Sequence, residues 1–365
     1  CDPQAFPVVC PEAVIYIGFQ NVKIKRLALD VELTNRCNAL CTFCPRDKTP
    51  KQGFMSEAVF HQAVQRAVEE NLTVMLTGQG ESLIHPRFEE YISYIVQQNA
   101  AFALTTNAAL LTPERSAFLL ESGIARITFS ISDFDADYEK VYNLDFDNMR
   151  RNVDAYMSIN NQRAESMRSE VWISIVEHDI NRDKIPEMTA YWEALGVTGV
   201  YVFRQINRGG ACQTNHYFLR SDAHRAEAEA LMASKGVSTL CNLAFVVPFI
   251  GWNGQYYICC SDYEKVEPLG NVFDYSVSEM DSIKKESIYR GNPACLKCNY
   301  DPVNVVREAM FEVEMGEAKR AKISNRLEVK KKQQDENPEL YSVIDWRAEH
   351  AAERNLVIDV IAVGN

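Results

Sequence analysis

Cys37-Asn38-Ala39-Leu40-Cys41-Thr42-Phe43-Cys44 sets three thiols four and then three residues apart, directly after the apolar run Leu27 to Leu33. Three soft thiolates on one short loop can hold three irons of a cubane iron–sulfur cluster, which leaves the fourth iron open to another ligand. Structural zinc needs four protein ligands, usually as two Cys pairs, and no fourth ligand lies near this trio. Three core cysteines are an equally poor account, because Asn35, Arg36, Asn38 and Thr42 make the loop polar. The stretch therefore reads as a cluster loop with Cys37, Cys41 and Cys44 as ligands.

Outward from this loop, short apolar runs alternate with amphipathic stretches. Leu27 to Leu33 is a strand that ends at the cluster loop. Helices are expected over Ser56 to Glu70, with Ser56 as N-cap, and over His85 to Gln98. Another opens at Thr112-Pro113-Glu114 and closes at Gly123, and two more run from Asn148 to Ile159 and from Asp183 to Leu195. Strands are expected at Thr73 to Leu76, Ala101 to Thr105, Ile124 to Ile131, Val171 to Val176 and Val200 to Phe203. Strands that alternate with helices in this way predict a parallel sheet. Six repeats rather than eight predict a partial barrel, with its site beyond the carboxyl ends of the strands.

The spacing C-x3-C-x2-C, with Phe43 before the third cysteine, resembles the signature of the radical S-adenosylmethionine (SAM) superfamily. The resemblance implies a partial (β/α)6 TIM barrel and a [4Fe-4S] cluster on Cys37, Cys41 and Cys44 whose open iron binds SAM. It also implies reductive cleavage of SAM to a 5′-deoxyadenosyl radical, with Phe43 beside the adenine. Such radical chemistry belongs to the cofactor, and the protein supplies binding and orientation. Three further stretches fit the same resemblance. Thr77-Gly78-Gln79-Gly80-Glu81-Ser82-Leu83 resembles the family's G-G-E-P stretch, which implicates Gly80 and Glu81 in cofactor binding, with Ser82 in place of Pro. Thr105-Thr106-Asn107 resembles T-N-G, with Ala108 in place of Gly, and implicates Thr106 and Asn107. Ser130-Ile131-Ser132-Asp133 resembles the S-x-D stretch, and Ser130 is preferred over Ser132 as the SAM contact. Each motif alone is also what a glycine turn or polar strand end would show.

After the sixth strand, Arg204, Asn207 and Arg208 lie on a loop expected at the barrel mouth, where they can grip substrate hydroxyls or carboxylates or simply face solvent. A second cysteine set follows: Cys241, Cys259, Cys260, Cys295 and Cys298. Phe245 to Ile250 and Gln255 to Cys259 read as a hairpin, and Ser276 to Glu286 as a helix. Four thiolates, Cys241, Cys259, Cys295 and Cys298, suit either a second cubane cluster or zinc on spacing alone. Cys241, Gly254-x4-Cys259, Leu269-Gly270-Asn271 and the closing Cys295-x2-Cys298 resemble the SPASM/twitch extension of radical SAM enzymes. That resemblance implies a single auxiliary [4Fe-4S] cluster in a small α+β twitch domain. Cys212 and Cys260 fall outside both sets; each is a plain buried cysteine or a thiol that donates a hydrogen atom to a substrate radical.

The expected organisation is an N-terminal extension (1–25), the barrel (26–220), a linker helix with the twitch domain (221–302), and a helical C-terminal segment (303–365). The segment contains a long charged helix from Val303 to about Gln333. A net charge of −12 argues against nucleic-acid binding. No apolar run reaches the roughly 18 residues of a membrane span, and no export signal is visible in a sequence that begins at Cys1. Eleven cysteines in such a chain argue for metal ligation in a reducing cytoplasm. The expectation is oxidation or epimerisation at a C–H of a small polar substrate, of aminocyclitol, sugar or nucleoside type, with a flavodoxin- or ferredoxin-type electron donor. Modification of a ribosomally made peptide is the alternative within the superfamily. It is disfavoured by the short stretch before the barrel. A zinc-stabilised binding module without catalysis is the alternative of another class.

Overall fold

Six short runs, the first five mostly buried on both faces, form parallel strands: β1 (Ala28–Val31), β2 (Thr73–Leu76), β3 (Phe102–Thr106), β4 (Arg126–Ser130), β5 (Glu170–Glu177) and β6 (Gly199–Arg204). They lie side by side in sequence order, with Val31 opposite Leu76, Leu76 opposite Leu104, Thr106 opposite Phe129 and Ser130 opposite Ser174. A parallel neighbour requires a crossover, and helices supply each one. These are α1 (Glu57–Glu69), α2 (Phe88–Gln97), α3 (Pro113–Glu121), α4 (Asp135–Tyr142) with α5 (Phe146–Gln162), and α6 (Ile185–Ala194). The coordinates are a computed structural model that describes residues 26, 28–212, 225–311 and 317–336. The expected extension 1–25, Leu27 and the tail from 337 onward lie outside the described residues.

Sequence periodicity accounts for how the helices dock. Phe60, Ala63, Val64 and Ala67 recur at helical spacing and are the buried face of α1. Thr112 caps α3 by accepting the Arg115 amide at 3.3 Å, with Pro113 at the first helical position. Ser56 occupies the cap position of α1 in extended conformation, but its side chain makes no capping bond. Sequence reading missed α4, whose buried Tyr138, Val141 and Tyr142 carry no long periodic run. It also started α5 too late. Asp145 caps that helix through the Asn148 amide at 2.6 Å, and left-handed Asn143 separates it from α4.

The same sheet continues past β1. β7 (Phe249–Ile250) pairs parallel with β1, and β8 (Gln255–Tyr257) and β9 (Gly270–Asn271) follow antiparallel. The expected first hairpin arm is shorter than read, because Leu243–Val246 forms a helical turn, α8. α9 (Glu279–Arg290) stops at Gly291, whose φ of 88° closes the helix. α10 (Pro293–Lys297) then carries Cys295.

The chain divides into two compact units. The strands, α1–α6 and α8–α10 belong to the first, with 26–212 and 242–300 among the described residues. The second contains α7 (Arg225–Ser234), α11 (Pro302–Phe311) and α12 (Glu317–Glu336). Its own small core joins Ala228, Met232, Val237, Val303, Val306 and Leu327.

Candidate active site

A cavity of about 340 Å³ opens within the first unit, walled by the inner face of the strands and the loops that follow them. Cys37, Cys41 and Cys44 all line it. Their loop is fixed from several directions. The Leu40 and Thr42 amides donate to the carbonyls of Tyr142 and Val141 at 2.8 and 3.0 Å, so α4 holds the loop's backbone. Arg46 Nη1 donates to the Cys37 carbonyl at 3.0 Å.

Glu81 is the organising acid of this mouth. Its Oε1 accepts from the Leu83 amide (3.1 Å) and Thr106 Oγ1 (2.9 Å), and its Oε2 from the Asn107 amide (2.9 Å). One buried carboxylate thus joins the loop after β2 to the loop after β3, although burial raises its pKa. Gly80 is required by close approach, since a Cβ there would stand 2.2 Å from the Arg36 carbonyl oxygen and 2.4 Å from that of Thr34. Asn107 Nδ2 donates to Asn38 Oδ1 at 2.9 Å and approaches Cys37 Sγ at 3.9 Å. Ala108, where the T-N-G pattern has glycine, does adopt the left-handed turn, with φ of 61°.

Ser130 faces the cavity, whereas Ser132 is buried and committed elsewhere: it accepts from Tyr142 OH at 3.0 Å and from the Val176 amide at 2.9 Å. Phe43 lines the cavity with its ring stacked on His178 (centroids 5.5 Å apart) and edge-on to Tyr142. His178 in turn contacts Asp133 at 3.0 Å.

Of the residues expected at the mouth, Arg208 lines the cavity. Asn207 instead bonds the segment after α10, exchanging hydrogen bonds of 3.0 Å with Asn299 and donating to the Lys297 carbonyl at 2.6 Å. It is a structural tie. Arg204 ends β6, and its side chain lies outside the described residues. Cys260 lines the cavity, but Cys212 does not; its thiol donates to the Phe43 carbonyl at 3.4 Å.

Cys259, Cys295 and Cys298 belong to the first unit and Cys241 to the second; all four are half-buried and unbridged. Asn292 caps α10 by accepting the Ala294 and Cys295 amides at 3.0 and 3.4 Å. The Tyr300 amide points at Cys298 Sγ at 3.4 Å.

Sequence reading missed Asp30, Ser261 and Tyr263, which also line the cavity. An acid in the apolar run Ala28-Leu29-Asp30-Val31 was the available signal, because strand alternation puts Ala28 and Asp30 on one face. Burial holds the Asp30 carboxyl well above the ordinary range, against the pull of Lys284.

The thiols fit a metal cluster. Burial pushes Cys37 up to about 11 and Cys41 higher still, so neither forms a thiolate without a compensating positive charge, which iron supplies. The Ala39 amide donates to Cys37 Sγ at 3.4 Å, the kind of outer bond that steadies a ligand sulfur. Among the described residues no three His, Cys, Asp or Glu side chains converge as they would on a single metal ion. A cubane is held by thiolates set wider than the ligands of one ion.

Residues 31–169 match the model of the radical SAM superfamily. Over 113 residues the chain is 36% identical to a GTP 3′,8-cyclase of Synechococcus sp., covering 30% of this chain and 32% of that protein. Over 179 residues it is 26% identical to the tungsten-containing aldehyde ferredoxin oxidoreductase cofactor-modifying protein of Pyrococcus furiosus, covering 48% and 50%. The chain thus spans a third to a half of the length of these curated relatives. Among solved structures it shares its fold with Streptococcus suis SuiB bound to precursor peptide SuiA, with a TM-score of 0.55 at 13% identity, covering 79% of this chain and 74% of SuiB. The cysteine loop and the first parallel strands fall within the matched segment, and residues 31–169 form a radical SAM domain.

Proposed function

We propose that this protein abstracts a hydrogen atom from a C–H of a small polar substrate and converts the substrate radical by oxidation or epimerisation. One observation carries the reading: the cluster cysteines, the Glu81–Thr106–Asn107 loops, Ser130 and the spare thiol Cys260 all line one cavity. When bound, the cluster and SAM supply a 5′-deoxyadenosyl radical. The chain's own part is to hold and to terminate. Glu81 fixes the two loops expected to seat SAM, and Phe43 offers a flat apolar face for the adenine. For epimerisation, the Cys260 S–H bond breaks and its hydrogen atom closes the substrate radical. The sulfur radical left behind regains one electron and one proton, the electron from a flavodoxin- or ferredoxin-type donor. For oxidation, the substrate radical loses one electron and one proton instead. The electron acceptor would then be a second [4Fe-4S] cluster, whose ligand set Cys241, Cys259, Cys295 and Cys298 rests on the SPASM/twitch resemblance.

The likeness to SuiB supports the fold and leaves a peptide substrate as the second reading. No helix among the described residues is long and apolar enough to cross a membrane. The test is turnover of candidate substrates by anaerobically reconstituted protein in deuterated water. Solvent deuterium in the product supports a thiol donor, and a ketone without it supports oxidation. Protein that holds zinc and no sulfide would overturn the reading.

A further inference from the structure

Besides thiols and phenols, four ionisable groups line the cavity: Asp30, Glu81, Arg126 and Arg208. Glu81 is bound by three donors, and Arg126 is paired with Glu170 at 2.8 Å. Arg208 differs. Among the described residues its guanidinium has no hydrogen bond and no ion pair, only the face of Tyr263 at 5.7 Å. An arginine stacked on a ring keeps its planar fork of donors free at the edge. A half-buried guanidinium without an acceptor is unusual, because buried polar groups are normally partnered.

The backbone around it is built for this placement. Arg208, Gly209 and Gly210 have φ of 49°, 64° and 91°, three left-handed residues in succession. Left-handed backbone in a non-glycine residue is strained and persists where the surroundings enforce it. The two glycines that follow are closely packed. A Cβ on Gly209 would meet the Ser261 carbonyl at 3.1 Å, and one on Gly210 would meet the Lys297 side chain at 2.6 Å. Beside this loop, Ser261 is 2% exposed and lines the same cavity, and its Oγ has no hydrogen-bond partner. A free cation and a buried hydroxyl thus stand on adjoining segments of the cavity wall.

The geometry points to Arg208, with Ser261, as an anion subsite of the cavity, so that the substrate carries a phosphate or carboxylate group. This rests on the reading that the cavity holds the substrate. It narrows the substrate class from polar to anionic. Burial works against the charge on Arg208, but the intrinsic basicity of a guanidinium keeps the group cationic.

The experiment uses anaerobically reconstituted, SAM-bound protein and two probes, inorganic phosphate followed by 31P line broadening and acetate followed by 1H line broadening. Wild type is expected to bind at least one probe, and which one responds tells phosphate from carboxylate. Arg208→Gln is expected to weaken that binding about tenfold or more, Arg208→Lys to restore part of it, and Ser261→Ala to weaken it less. SAM affinity, measured in parallel, is expected to be unchanged. Equal probe binding by wild type and Arg208→Gln, or binding of neither probe by wild type, overturns the subsite. Loss of SAM affinity in Arg208→Gln reassigns the arginine to the cofactor and also overturns it. None of these outcomes touches SAM cleavage, on which the broader reading stands or falls separately.

Discussion

At the scale of single residues, two thiols were candidates from sequence for hydrogen-atom donation, and their surroundings now separate them. Cys260 lines the cavity, and Cys212 spends its thiol on the Phe43 carbonyl. In an epimerising reaction Cys260→Ser should abolish solvent deuterium in the product while 5′-deoxyadenosine still forms, and Cys212→Ser should retain the label. Mass spectrometry of the product distinguishes the two, and label surviving in Cys260→Ser would remove that residue from the reaction. Asp262 gives a prediction about stability. Burial pushes its carboxyl up to about 6 from 3.8, against the Lys265 amide at 2.9 Å and the Lys265 charge. Between those values the folded state holds the proton that the unfolded state releases. Stability is therefore lost as pH rises from about 4 to about 6, and the loss persists above. Asp262→Asn should stabilise the protein at pH 8 by up to about 3 kcal/mol, with the gain vanishing towards pH 4. Thermal melts across that range would show it, and a pH-independent gain would contradict it.

At the scale of elements, the loops after β1, β2 and β3 act as one structure, because Gly80 lets the second press on the first and Glu81 ties it to the third. Gly80→Ala should force the cluster loop apart, cost about 1–3 kcal/mol, and lower iron loading after reconstitution. Retained iron with an unchanged melting temperature would show that the close approach is not needed. Most elements were legible in the sequence because their signals are local. The strand-end motifs fell on β1–β4 in order, and Thr112-Pro113 announced α3. Elements whose signals are not local were missed. The buried aromatics of α4 make sense only against the cluster loop it supports. The parallel pairing of β7 with β1 joins residues more than two hundred positions apart.

At the scale of the whole molecule, the hairpin segment is anchored to the barrel's first loops by buried polar contacts. Lys265 pairs with Glu32, which also accepts the Gln79 amide at 2.9 Å. Gln79 Nε2 donates to the Asp262 carbonyl at 2.8 Å, and Thr49 Oγ1 lies 3.0 Å from the Tyr263 carbonyl. Removing one partner of a buried ion pair leaves an uncompensated charge, so Lys265→Met should cost about 3–5 kcal/mol. A denaturant titration checks this, and a loss below about 1 kcal/mol would mean that water reaches Glu32. Residue identity alone singled out Cys37, Cys41, Cys44, Glu81 and Ser130, and all five line the cavity. The candidate site was not legible where only orientation decides, as with Asn207 turned to Asn299 and Asp30 on the wall of the cavity. The central claim is that the cavity behind Cys37–Cys44 cleaves SAM. The direct measurement is 5′-deoxyadenosine formed by reduced, reconstituted protein, compared with the Cys37→Ala variant. The wild type is expected to form it and the variant none; no product from iron- and sulfide-loaded wild type, or equal product from both, would mean that this cavity does not cleave SAM.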